Sequence, residues 1–365
     1  MAHLTISQLK QNAGATACTA TVDVQIQKCV PKTTKSGKPY ILVTFVDATD
    51  QFSLNIWENL PQYQTVQDLG IEAFIRLEGD WIQNQYGIDG VRWQLRLLNK
   101  GEIATFLSGD PETKAVQDKD WQDIVTLTTA ISDPRLNALC AIFLSKHGDH
   151  FRRTAAARKN HHARRGGLVE HVAQMMRCAS AICKVYPKLN FDLMITGVLF
   201  HDCGKLWENS YAESGFPQPY DLAGEVLGPI PLGITFVEKL WTSLMASDHT
   251  ANWAELQPSS DLVRIHLLHL IASHHGTYEF GSPTLPRTPE AHALHHIDNL
   301  DAKYEMFKQA YQVSSELAPG IYEKQFPLPA NLVAPLQHFE NDSDVSDDLE
   351  INNDLEVKPF DGELF

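Results

Sequence analysis

No stretch of the 365-residue chain approaches eighteen uninterrupted apolar residues, so a membrane-spanning helix is not expected. The N-terminus, MAHLTISQLKQNAG, lacks a basic region followed by an apolar one. No secretory signal is therefore expected, and the protein is expected in the cytoplasm. Cysteine is scarce: Cys18, Cys29, Cys140, Cys178, Cys183 and Cys203 contain no CxxC spacing, which argues against a zinc knuckle and a secreted disulfide framework. Basic residues fall short as well, with 30 Lys+Arg against 45 Asp+Glu and a formal charge of −15. That deficit argues at first against a polyanionic partner, because phosphate binding draws on Lys and Arg. Charged residues at 21% and aromatics at 9% are globular values, which excludes wholesale disorder, a collagen-like fibre and a long coiled coil.

Where the charge lies matters more than its total. Glu340 to Phe365 holds ten acidic residues and one basic one, Lys358, so this stretch carries −9 and leaves −6 for the preceding 339 residues. A tail of that composition cannot bury enough apolar surface to offset ordering, and it is expected to be disordered. Its end, Asp361-Gly-Glu-Leu-Phe, places an apolar pair behind acidic residues. It reads either as a solubilising tail or as a docking tip for a protein partner. Histidine is concentrated too: fourteen of sixteen fall between His147 and His296.

Residues 19–98 alternate as strands do: ATVDVQIQKCV, YILVTFVD, FSLNIWE, IEAFIRLEGDW and VRWQLRLL, separated by Gly, Asp, Asn and Pro turns. Five short runs, with one gap of about a dozen residues between the third and fourth, suit a small closed barrel of the oligonucleotide-binding (OB) type. Residues 106–135 read as a helical linker with breaks at Asp110-Pro111 and Asp133-Pro134. Beyond it the apolar residues keep a helical period in LVEHVAQMMRCASAICKVY, FDLMITGVLFHDCGKLWE, ITFVEKLWTSLMA, LVRIHLLHLIASHH and EAHALHHIDNLDAKYEMFKQAY. The expected organisation is multidomain α and β: a five-stranded OB-type barrel over 1–105, the linker, an all-helical domain over 136–338 and the acidic tail over 339–365.

His201-Asp202 ends the apolar run LMITGVLF and is followed by Cys203-Gly204-Lys205. An imidazole and a carboxylate at the end of a buried helix both need partners in a dry setting. His171, one turn into the helix opened by Gly166-Gly167, and Asp298, on ALHHIDNLDAK, offer matching groups. Together these form a nitrogen and oxygen donor set for Mn²⁺, Fe²⁺, Co²⁺, Mg²⁺ or Zn²⁺. Such an ion acidifies a bound water and polarises a phosphoryl oxygen. Lys205, one turn past Asp202, can reach that phosphate as a point charge.

HDxGK with a helical His thirty residues upstream and an Asp about a hundred downstream resembles the HD-domain superfamily of metal-dependent phosphohydrolases. GGLVEHV, GVLFHDCGK, SHHGTYEFGSP and LHHIDNLDAK, in that order behind the barrel pattern, are further similar to the YhaM-type 3′ to 5′ exoribonucleases. The resemblance covers roughly residues 15 to 335. It implies that His171, His201, Asp202 and Asp298 hold one metal and that His274 and His275 join Asp202 around a second; Asp202 and Lys205 are the residues expected to carry the catalysis. Mn²⁺ or Co²⁺ is favoured. In the family pattern a histidine stands where this chain has Pro229, which offers no donor atom. The expectation is one tight and one weaker site, the latter water-filled or completed by Glu225 or His249.

Arg152, Arg153, Arg158, Lys159, Arg164 and Arg165 place six positive charges in fourteen residues with no acid among them, just before the His171 helix. The run reads as a phosphate track rather than a mixed solvated face. His161 and His162 lie inside it, either as a surface loop pair or as groups near substrate or metal. In the barrel, Tyr40, Trp57 and Lys38 are expected to hold bases and phosphates of a single strand, with Phe45 and Phe52 turned into the core. His266 and His269 are expected to pair with backbone or carboxylate rather than a metal, and Asp301 to cap or pair with a neighbour.

The expected activity is hydrolysis of single-stranded RNA, or DNA, from the 3′ end; that direction rests on the resemblance alone. Two alternatives stay open: a phosphohydrolase of nucleotides or nucleotide second messengers, and a catalytically weakened single-strand-binding adaptor whose tail recruits partners. Oligomeric state is not readable from the chain.

Overall fold

The computed structural model describes residues 1–158, 161–213, 215–216, 218–246 and 253–336. Its backbone contacts divide into two units, Met1–Gln309 and Ala310–Phe365. The acidic stretch from Glu340, Lys159 and His249 lie outside the described residues.

The first unit opens with β1 (Ala2–His3), α1 (Ile6–Asn12), β2 (Cys18–Thr33), β3 (Pro39–Val46), β4 (Gln51–Trp57), α2 (Gln62–Leu69), β5 (Phe74–Asn84) and β6 (Gly87–Leu97). The sheet runs β4-β3-β2-β5-β6, with the short β1 added in parallel to β2. Strand β2 is long because it serves two neighbours. Residues 18–25 pair with β5 and residues 25–33 with β3, and a bulge between Ile26 and Lys28 bends the strand near the changeover. In β4 the alternation QFSLNIW turns Phe52, Leu54 and Ile56 inward. They meet Phe45, Val43, Ile75, Leu77 and Trp81, and the buried Trp81 indole donates to the Ala20 carbonyl at 3.1 Å.

Two features correct the expected closed five-stranded barrel. The sheet has six strands, and among the described residues no hydrogen-bonded pairing joins its edges, β4 and β6. The Gln62 side-chain amide, at the start of α2, donates to the Trp93 carbonyl on β6. A helix side chain, not strand β4, satisfies that edge group.

Helices follow: α3 (Lys100–Ser108), α4 (Pro111–Thr129), α5 (Pro134–Phe151), α6 (Gly167–Val185), α7 (Phe191–Phe200), α8 (Lys205–Glu208), α9 (Leu222–Leu227), α10 (Pro229–Met245), α11 (Ser260–Ser273) and α12 (Pro289–Val313). The Asp-Pro dipeptides that read as breaks are helix starts. Asp110 and Asp133 are N-caps that accept from Thr113 and from Arg135 and Leu136, and each proline takes the first helical position, where its missing N–H is not needed. Ile124 of α4 and Ile131 just beyond it join the helical core, so the stretch expected to be a linker is packed against α6.

Helix α7 is the axis of this core, because every residue from Leu193 to Phe200 is buried. A helix apolar all round belongs inside, and this one delivers His201 and Asp202 to the interior. Beyond α12 the second unit carries a small antiparallel sheet, β7 (Glu316–Ala318), β8 (Ile321–Tyr322) and β9 (Leu332–Val333), which departs from the expected all-helical span. No described helix is long and apolar enough to cross a membrane.

Candidate metal centre

Three helix ends and one helix face converge on a buried cluster. His171 is one turn into α6, His201 caps the C-terminus of α7, Asp202 follows it, His274 caps α11, and Asp298 lies on α12. The close backbone packing that lets this happen needs two glycines. A Cβ on Gly167 would fall onto the His162 carbonyl, and one on Gly204 would fall onto the Pro229 carbonyl.

The distances are those of a ligand set. His171 Nε2 lies 3.2 Å from His201 Nε2, 3.4 Å from Asp298 Oδ1 and 3.9 Å from Asp202 Oδ2. His201 Nε2 is 3.4 Å from Asp202 Oδ2, and His274 Nε2 is 3.7 Å from Asp202 Oδ1. The His275 ring centroid is 4.4 Å from that of His274. Lys205 Nζ stands 3.8 Å from Asp202 Oδ2.

Every imidazole here is oriented through its other nitrogen. The Nδ1 of His201, His274 and His275 faces the carbonyl of Val198 (2.8 Å), Ile271 (2.8 Å) and Phe280 (2.7 Å) respectively. A carbonyl only accepts, so each Nδ1 carries the proton and each Nε2 is left free as a ligand atom. His171 Nδ1 lies 2.6 Å from Asp301 Oδ2, which also takes His162 Nε2 at 3.0 Å. Asp301 was expected to pair with a neighbour. Its partners are instead two histidines 130 and 139 residues away, and it sits one turn from Asp298 on the same face of α12. That i, i+3 carboxylate pair was the signal in the chain.

Burial would lift the carboxyls, yet Lys205 and His201 hold Asp202 well below the ordinary range, and His171 and His201 do the same for Asp298. Burial likewise opposes charge on His171, but Asp298 and Asp301 override it and raise the imidazole to about 10. His274 goes the other way: burial, with His201 and His275 beside it, lowers it to about 3 and keeps a neutral ligand nitrogen. His161 is lowered to about 4 by burial and by His171 and Lys205.

Whether an ion fits can be read from what the protein leaves unsatisfied. Asp202 Oδ1 and His274 Nε2 are buried without a hydrogen-bond partner although they face each other at 3.7 Å. Leaving such groups unpaired costs about 1–3 kcal/mol each; a divalent cation satisfies both. His171, His201 and Asp202 present ligand atoms within 4.8 Å of one another, and mixed imidazole and carboxylate donors suit such an ion.

Residues 168–303 match the HD domain family. The match takes in His171, His201, Asp202, Lys205, His274, His275, Asp298 and Asp301, and it leaves out the sheet and the segment around His161. HD domains are typically metal-dependent phosphohydrolases, which is the chemistry the donor set of this HD domain can support.

The five described arginines of the basic run are each engaged within the protein. Arg152 pairs with Asp118, and Arg153 donates to the Tyr211 carbonyl. Arg158 donates to the Glu208 and Pro219 carbonyls and lies over the Tyr220 ring at 4.1 Å. Arg165 donates to the carbonyls of Ala212, Glu213 and Gly215. Arg164 pairs with the buried Glu170 and, at 2.9 Å, with Glu305. Arg164 finds an acid six residues on, and the other described arginines find partners 34 to 61 residues away, so these side chains tie neighbouring elements together. His162 is fully buried and has no surface to offer a strand. His161 differs: its ring is 5.9 Å from that of His171, and its buried Nδ1 has no partner.

Where a weaker second site was expected, Pro229 opens α10 against the turn holding Gly204 and has no donor atom, while Glu225 is exposed on α9. His269 Nε2 accepts from the Arg287 backbone N–H at 2.9 Å, a structural pairing as expected. On the sheet, the register aligns Lys32, Tyr40 and Trp57 across β2, β3 and β4. The Tyr40 and Trp57 rings are 5.0 Å apart and Trp57 is 38% exposed, with Lys38 exposed in the adjoining hairpin turn.

Proposed function

We propose that the protein is a metal-dependent phosphodiesterase that shortens single-stranded RNA, and DNA where offered, from the 3′ end. The observation that carries the hydrolytic part is the convergence of His171, His201 and His274 Nε2 with Asp202 and Asp298, each of these imidazoles held by its Nδ1. His171, His201, Asp202 and Asp298 would hold the tight ion. Asp202 Oδ1, His274 and His275 would hold the weaker one, which Pro229 leaves short of a ligand. When bound, a divalent ion, Mn²⁺ or Co²⁺ foremost, supplies an acidified water and charge stabilisation on the phosphoryl oxygens.

The chain's own groups do the rest. Lys205 sets a positive charge beside Asp202 where a substrate phosphate meets the cluster. His161, unpartnered and next to His171, offers a further contact to that phosphate. Asp301 holds His171 in register. The strand order β4-β3-β2-β5-β6, with helix α2 between β4 and β5 along the chain, supports an OB-like grip on a single strand. The row Lys32, Tyr40, Trp57 supports the same, since one aromatic face per base and nearby cations are what such grips use.

The test is a 5′-labelled single-stranded RNA incubated with the protein and Mn²⁺. A ladder shortening from the 3′ end is expected, and it should vanish in His201→Ala and Asp202→Ala. Cleavage undiminished in both variants would refute the assignment. Turnover of free nucleotides in place of oligomers would move it to the nucleotide phosphohydrolases. The vacant ligand position at Pro229 favours one other reading, an adaptor that binds strands with little turnover. Tight strand binding without hydrolysis in Mn²⁺, Co²⁺ or Mg²⁺ would select it.

A further inference from the structure

Directly after His274 and His275 the chain makes a tight turn through Tyr278–Phe280. The turn is held by backbone and side-chain hydrogen bonds. Gly276 N–H donates to the Ser273 carbonyl (2.8 Å), Gly281 N–H to Tyr278 (2.9 Å) and Ser282 N–H to Thr277 (3.2 Å). Ser282 Oγ lies 3.1 and 2.7 Å from the Ala272 and Thr284 carbonyls, between which its one proton is shared. The His275 imidazole is bonded to the Phe280 carbonyl at 2.7 Å, which ties the turn to the metal cluster.

On this rigid loop Tyr278 is 60% and Phe280 65% exposed, and neither ring is paired with another among the described residues. Aromatic side chains carry large apolar areas that are usually buried or at an interface. Two of them displayed beside a metal centre, on a backbone already satisfied, call for an occupant. The only charged residue on the turn is Glu279, an anion, so the turn does not suit a phosphate. It suits an uncharged flat group attached to one.

We infer that Tyr278 and Phe280 are a stacking platform for the terminal nucleobase of the strand whose phosphodiester the adjoining centre hydrolyses. This rests on the phosphodiesterase reading and deepens it by naming what the substrate must carry. A base is joined to its phosphate through one sugar, so its platform has to adjoin the phosphate site, as this turn does through His275. Stacking is indifferent to base identity, since every base has a π-face, so the platform favours a free unpaired end of any sequence. Removing one such contact weakens binding by about 5- to 150-fold.

The test compares two short single-stranded RNA oligomers, one normal and one with an abasic 3′-terminal residue, on the full chain with Mn²⁺. The wild type should prefer the normal end by about 5- to 150-fold in kcat/KM. The Tyr278→Ala/Phe280→Ala double variant should lose that preference while its rate on the abasic end stays unchanged. Equal losses on both substrates, or none on either, would overturn the inference. If the wild type digests neither oligomer, the phosphodiesterase reading fails, and binding decides the platform separately. A 3′-terminal 2-aminopurine should then be quenched by the wild type and not by the double variant, and equal quenching by both sinks the platform. Should the double variant lose folded structure, Tyr278→Leu/Phe280→Leu, which keeps apolar bulk without a π-face, replaces it under the same criteria. Self-association that disappears in the double variant while the end preference persists would instead give the rings to a second copy of the chain.

Discussion

Asp301→Ala tests a residue that, on the geometry, would position His171 as a metal ligand. One carboxylate oxygen takes His171 Nδ1 at 2.6 Å and His162 Nε2 at 3.0 Å, in a site where Asp301 is 8% exposed. Hydrogen bonds to charged groups contribute about 1.5–3 kcal/mol each, so removing both lowers stability by roughly 3–6 kcal/mol if nothing relaxes and by less if water enters. The effect on the ion is separable. Without Asp301 the His171 ring loses the partner that leaves Nε2 free, and outer-shell losses of this kind cost about 10- to 100-fold in metal affinity, or about 1.4–2.7 kcal/mol. The assay is Mn²⁺ titration calorimetry on wild type and variant, paired with chemical denaturation of both metal-free proteins. An Asp301→Ala protein that is folded and takes up the first ion with unchanged affinity would refute the assignment of Asp301 as the group that positions His171.

Arg164→Ala should destabilise the fold by about 3–5 kcal/mol, because it leaves the buried Glu170 without its cation; denaturant unfolding reads it, and a loss of strand affinity with stability intact would restore Arg164 to the phosphate track. Metal uptake should be proton-linked. With His171 raised to about 10 from an ordinary 6.5, its charged form stabilises the metal-free fold below pH 6.5, and that contribution is lost as pH rises through about 10. An ion competes with that proton, so near pH 8 each first ion should release about one proton and affinity should rise about tenfold per pH unit; calorimetry in buffers of different ionisation heat measures it, and no release contradicts the charge assigned to His171. Trp57→Ala should weaken single-strand binding by about 1–3 kcal/mol while leaving Mn²⁺ affinity unchanged, as fluorescence anisotropy with a labelled oligomer will show.

Much of the centre was legible along the chain because its parts are locally encoded. A helix apolar on all sides must be buried, so the imidazole and carboxylate at its end had to be inside, and α7 bears this out. The helical periods gave the positions of α6, α11 and α12 to within a few residues. The Asp-Pro pairs mark boundaries in the sequence without saying of which kind, since a cap and a break have the same local sequence and only the packing of the helix that follows tells them apart. The small helix Gln62–Leu69 lay hidden in a polar stretch with little apolar period, and its Gln62 meets an edge carbonyl that a closed barrel would have given to a strand.

The basic run shows where local reading stops. Six positive charges with no acid inside the run look free in one dimension; in three, Arg164 finds Glu170 just beyond the run and Glu305 far from it, and Arg158 and Arg165 find backbone carbonyls 47 to 61 residues on. By itself the sequence determined which residue types sit at helix ends and in what order, because period, caps and the HDxGK turn are set by neighbours within about one helical turn. Only the tertiary structure decided which nitrogen each histidine keeps free, which histidines Asp301 meets, and whether the sheet closes. Those depend on hydrogen-bond and ion-pair partners that burial brings together from across the chain, and no local pattern specifies them.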